Sequence, residues 1–160
     1  MTIPQARRGL TAAALASLAA AVVALVMRIA DPFAHGAWLV AYLVLVGFLA
    51  QLLLGLGQSA LMSTGLAAPP RWIRSAQAIL WNVGVVAVPF GVLAQTRLAV
   101  VVGSLSLIGA LASLARTTGP ALAEAIARRN WLGWGYACLL AGMAASTLIG
   151  TALAWDVAWI

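Results

Sequence analysis

The chain has no lysine, one cysteine, one histidine and three acids, Asp31, Glu124 and Asp156. A single cysteine, Cys138, supplies neither a disulfide framework nor a cysteine metal cluster within one chain. No carboxylate pair, HExxH, CxxC, Walker loop or dinucleotide fingerprint occurs. With so few acids and one histidine, neither intrinsic catalysis nor a resident metal is expected. The central part of each apolar run carries no charge. Proton relays, voltage sensors and ion-coupled transport therefore lack their usual carriers.

What the sequence has instead is apolar length. Of 160 residues, 64% are hydrophobic and 8% charged, where a soluble domain carries about 25% charged residues. Crossing about 30 Å of hydrocarbon as a helix takes roughly 20 apolar residues. Five runs meet that requirement, at about 9–29, 36–62, 74–94, 97–115 and 131–155. Membrane strands would alternate over about ten residues, so the expected fold is an all-α polytopic helix bundle forming one transmembrane domain over 1–160. The first run is longer than a signal-peptide core of 7 to 15 residues, and Arg28 closes it like a membrane boundary, so a retained helix is expected. Trp131, Trp134 and Trp155 at the two ends of the fifth run fit the aromatic belts of a bilayer.

All nine basic residues are arginines, standing singly or in pairs between the apolar runs, which points to membrane boundaries rather than nucleic acid. With five crossings, Arg7, Arg8, Arg71, Arg74, Arg116, Arg128 and Arg129 fall on one side and only Arg28 and Arg97 on the other. The positive-inside rule then sets the N-terminus in the cytoplasm and the C-terminus outside, in the plasma (inner) membrane of a bacterium. A short interfacial helix is expected near 119–129: Thr117 or Thr118 suits its cap, Pro120 its first turn, and Glu124 and Arg128 are spaced for an i, i+4 ion pair.

Small residues spaced by four let membrane helices approach closely. Gly47, Gln51, Gly55 and Gln58 follow steps of four, four and three in the second run, Gly103, Ser106, Ala110 and Ser113 steps of three, four and three in the fourth, and Cys138, Gly142, Ser146 and Gly150 strict fours in the fifth. They are read as a helix-packing or polar seam. Pro89 is expected to kink the third helix, and Asn82 to find its partner in Gln51 or Gln58. At the outer boundary, Arg28, Asp31, His35 and Arg97 form an expected interfacial cluster and a candidate ligand site. Three roles are open to His35: an anchor at the headgroup level, a haem ligand requiring a second chain, or a base oriented by Asp31 toward Ser104 or Ser106.

His35 opening a glycine-rich helix, followed by a helix with Trp81–Asn82, resembles haem-bearing respiratory membrane proteins. Those place several histidines at helix spacing where this chain has one, so the resemblance carries no residues over. The expectation is a multi-pass protein without its own chemistry. It would serve as an accessory, scaffolding or assembly subunit of a larger membrane complex, or as a homo-oligomer, with lipid and other membrane subunits as partners and no cofactor. The alternatives are a haem- or quinone-associated redox subunit using His35, and a small transporter or channel lined by Asn82, Gln51 and Gln58. A periplasm-active reporter fused after Ile160 is expected to be active, and one placed within 116–130 silent; the reverse pattern would overturn the orientation.

Overall fold

Apolar runs without β-type alternation fold as helices because, in hydrocarbon, only a helix satisfies every backbone N–H and C=O within its own segment. The computed structural model describes residues 4–33, 35–62 and 69–156, with side chains described at 12–33, 35–61 and 69–148. It is helical throughout, with no strand among the described residues. The elements are α1 (Pro4–Ala30), α2 (Gly36–Tyr42), a π-helical stretch (Leu43–Ala50), α3 (Gln51–Met62), α4 (Arg71–Leu93), α5 (Arg97–Ala127) and α6 (Trp131–Asp156). Four helical segments, 12–30, 36–61, 71–93 and 97–127, are long and apolar enough to cross a membrane. The expected fifth span is α6, whose side chains beyond Leu148 lie outside the described residues, as do those of Arg7 and Arg8.

The chain divides into two compact units, 1–55 and 56–160. In the first, α1 packs on α2 and the π-helical stretch. The buried stripe of α1 is Ala14, Ser17, Ala21 and Ala24, with Gly36, Gly47 and Ala50 buried in the following helical run. Both surfaces are made of small side chains, which is how helices associate when lipid removes the hydrophobic incentive. Leu15, Val22, Val23, Met27 and Ile29 face outward.

The second unit is built on the α4–α5 hairpin. A Cβ added at Gly103 would lie 2.7 Å from Val88 Cγ2 and 2.8 Å from the Val88 backbone nitrogen, and one at Gly84 would strike Leu107. The two backbones are in near contact there, and only glycine admits that. Pro89 is buried inside α4, which continues past it to Leu93.

The fourth span was expected to end at Ala115, with a separate interfacial helix near 119–129. Instead α5 runs unbroken for 31 residues, about 46 Å at 1.5 Å per residue. Its buried stripe continues past Leu114 through Thr118, Ala121 and Ala125, the last against Gly133 of α6. The threonines do not cap: Thr117 Oγ1 donates within the helix to the Ser113 and Leu114 carbonyls at 3.0 and 3.1 Å, and Thr118 Oγ1 to the Leu114 carbonyl at 2.7 Å. Continuous packing and back-bonding outweigh the local stop signals of Gly119 and Pro120. The Glu124–Arg128 ion pair forms at 2.6 Å, exposed on this last part of α5.

Both tight connections close in the same way. Thr96 N–H donates to the Gly91 carbonyl and Gln95 N–H to that of Val92, while Asn130 N–H donates to Ala125 and Arg129 N–H to Ile126. These Schellman closures put Gln95 and Arg129 at φ 52°, where glycine is the usual occupant. Asn130 then caps α6, its Oδ1 accepting from Leu132 N–H at 3.0 Å. Replacing Gln95 by glycine relieves the Cβ clash of this conformation and is expected to stabilise the protein by about 1 kcal/mol, whereas Gly103→Val is expected to destabilise it through the α4–α5 contact. Unfolding midpoints in detergent measure both.

Candidate functional site

The polar groups that the second unit gathers in its interior centre on Gln77. This residue shares a face of α4 with Arg74, Trp81, Gly84 and Val85, spaced three, four, three and one apart, and is 5% exposed. Its amide makes three of the four hydrogen bonds open to it. Nε2 donates to Ser113 Oγ at 3.2 Å and to Thr117 Oγ1 at 3.1 Å on α5, and Oε1 accepts from Gln58 Nε2 at 3.4 Å on α3. Next to Gln58, Gly57 leaves the space into which the Tyr136 ring of α6 packs, with Thr118 alongside. Four helices thus converge on one buried polar cluster.

The cluster is not fully satisfied. Arg74 Nε and Trp81 Nε1 are shielded from solvent and have no hydrogen-bond partner, while the Tyr136 hydroxyl lies beside that of Thr118. A buried polar group left unmade costs about 1–3 kcal/mol, so these two are the unsatisfied part of the cluster.

The expected seam is distributed differently. Gly47 and Gln51 are buried in the first unit, with Gly55 half-buried, while Gln58 belongs to the second unit, half-buried and bonded to Gln77. The i, i+4 spacing that aligned them assumes α geometry, which holds from Gln51 onward in α3, whereas Gly47 lies in the π-helical stretch. Gln51 is 3% exposed with neither amide atom partnered. Asn82, expected to bond Gln51 or Gln58, donates instead to the Ala78 carbonyl of its own helix at 2.8 Å. On α6, Gly142 and Ser146 are exposed, with nothing within 4 Å of a Cβ added at Gly142, and Gly150 lies outside the described side chains.

Of the expected outer cluster, Arg28, Asp31 and His35 are exposed around the α1–α2 connection, and no hydrogen bond or ion pair joins their side chains among the described residues. The Arg28 stem packs beside Gly36. His35 takes φ 63° at the start of α2 without capping it through its side chain. Arg97 is exposed in the first turn of α5, in the second unit. Ser106 Oγ donates to the Val102 carbonyl at 2.8 Å, and Ser104 is buried. Among the described residues, no three His, Cys, Asp or Glu side chains gather as a metal set would.

Gln77 escaped the sequence reading, which followed the glutamines of the glycine-rich second run. Two signals pointed to it: Gln77 shares the glycine-bearing face of its helix, and Ser113 and Thr117 stand i, i+4 on the helix that follows. No family model, curated protein or solved structure matches the chain.

Interhelical hydrogen bonds in membranes contribute on average about 0.6 kcal/mol each. Gln77→Leu is therefore expected to cost about 1–2 kcal/mol. Gln58→Leu should cost less in that background than alone, since its partner is already gone. Asn82→Leu is expected to be close to neutral. A double-mutant cycle on unfolding free energies in detergent reads all three.

Proposed function

We propose that the chain is a multi-pass protein of the bacterial inner membrane, N-terminus inside, which works by lateral helix association as an accessory, scaffolding or assembly subunit or as a homo-oligomer. The observation that carries this reading is the outward face of α6. Gly135, Cys138, Gly142 and Ser146 are exposed there at helical spacing, and a Cβ at Gly135 or Gly142 meets nothing within 4 Å. Lipid chains gain little from such a surface, while a second helix packs closely on it. The four apolar helical segments and the arginine asymmetry support the membrane placement. Arg71, Arg116, Arg128 and Arg129 are exposed at helix ends or on α5 beyond Ala115, as boundary residues would be.

Cys138, the sole cysteine, stands on the same face and reports on it. In membranes treated with a mild oxidant, self-association through α6 is expected to give a Cys138-linked dimer; association with another subunit gives a copurifying membrane chain instead. Gly142→Leu is expected to weaken either one about tenfold, equivalent to ~1.4 kcal/mol. Association unchanged by Gly142→Leu and Ser146→Leu would overturn the reading.

A further inference from the structure

In the second unit the arginines bracket a bilayer's width on two helices, and one helix continues well past its bracket. Arg97 and Arg116, both exposed, stand about 28 Å apart along α5, and Arg74 lies about 30 Å along α4 from Ala94. Both lengths match a hydrocarbon core of about 30 Å. Yet α5 runs on from Arg116 to Ala127, about 16 Å further. A headgroup layer takes up only about 5–7 Å of that, so the corner between α5 and α6 stands roughly 10 Å clear of it. A helix tilt of about 20°, ordinary in membranes, shortens the projection by only about 1 Å.

The projection is a packed two-helix corner. A Cβ added at Gly133 would lie 2.8 Å from that of Ala125; Arg129 closes α5 and Asn130 caps α6. Part of its surface suits water: Arg128 and Glu124 form their ion pair there, 74% and 48% exposed. Trp131 and Trp134 do not suit it. They stand i, i+3 on α6 and are 81% and 55% exposed. The Gly133–Ala125 contact sets them level with Ala127 and Glu124, beyond the arginine bracket. Apolar rings fixed in water are unfavourable, and such a patch on a rigid corner marks an interaction surface.

We propose that this corner docks an acidic segment of a different chain, with Trp131 and Trp134 supplying the apolar contact and Arg129 the charge. Tryptophan and arginine are among the side chains that most often dominate the energy of a protein interface. Charge selects the occupant. Arg128 is engaged by Glu124, while Arg129, with Arg116 and Arg71 nearer the bilayer, leaves the corner positive. A second copy would bring the same arginines and no acid at this end beyond the paired Glu124. Asp156 closes the opposite end of α6, and Asp31 follows α1 in the first unit, on the outer side by the expected topology. The inference rests on the membrane reading above and not on association through Gly142 and Ser146.

Two measurements on the full chain test this. In a Cys138→Ser background, Ala123→Cys and Ala127→Cys are treated with a membrane-impermeant maleimide in vesicles that expose the arginine-rich face. Leu105→Cys, on an outward position in mid-span, is the control. Thiolate forms where water reaches, so the corner cysteines are expected to label about as fast as in detergent and the control at least about tenfold slower. Slow labelling of both corner positions places them in lipid and overturns the proposal. The second measurement follows the chain that copurifies in mild detergent. Arg129→Glu, and Trp131→Ala with Trp134→Ala, are expected to lower its retention about tenfold, and Arg129→Lys to keep most of it. Unfolding midpoints should stay unchanged, because all three side chains are exposed. The supporting result is the loss on substitution, not retention itself. Retention lost in Gly142→Leu but intact in the corner variants overturns this proposal and leaves lateral association standing; the reverse pattern supports it and removes lateral association. A preparation holding no other chain, or only a second copy, also overturns it.

Discussion

The close approach of α4 and α5 at Gly84 and Gly103 is the contact on which the second unit depends. In hydrocarbon, apolar side chains gain nothing by leaving lipid for one another, so packing comes from backbones near enough to make dense van der Waals contact. Gly84, Gly91 and Gly103 supply that proximity along one seam, and the register they impose decides which polar residues face each other. Gln77 meets Ser113 and Thr117 because the glycines bring the helices together in that alignment. The first unit repeats the principle with alanine: Ala14, Ala21 and Ala24 lie buried along α1, which packs on the run containing Gly47 and Ala50.

Once helices are this close, every internal polar group needs a partner, because water does not reach it. The second unit meets the requirement unevenly. Both hydrogens of the Gln77 amide are donated and the α5 threonines return theirs to carbonyls one turn back, yet the donors Arg74 Nε and Trp81 Nε1 remain open. The α6 surface poses the complementary question. Its exposed residues from Gly135 to Ser146 are small and uncharged, so they suit another helix rather than an ion.

How much was legible in the sequence follows from the range of each signal. Run lengths and arginine positions depend on one segment at a time, so four of the five expected spans are recovered as apolar helical segments, and the break between Ala94 and Arg97 is present. The Glu124–Arg128 pair was legible for the same reason, as an i, i+4 relation within one helix. Signals that required a decision between local and distant forces failed. Thr117, Thr118 and Pro120 favoured the start of a separate helix, but burial of Ala121 and Ala125 carried α5 through them. Asn82 suggested an interhelical bond, but the Ala78 carbonyl on its own helix was nearer.

The sequence by itself determined that this chain is helical and apolar enough to cross a membrane, and where each helix begins and ends to within a turn except at the start of α1 and at Arg116–Ala127. Those properties follow from hydrophobic length and from backbone hydrogen bonding, both of which are local. Only the tertiary structure decided that Gln77 rather than Asn82 is the polar centre, that the Gly142 and Ser146 stripe looks outward, and that Gln58 bonds Gln77 while Gly47 and Gln51 are buried in the first unit. Each of these depends on helix rotation and register. A periodic pattern on one helix leaves those free until a second backbone comes into contact with it.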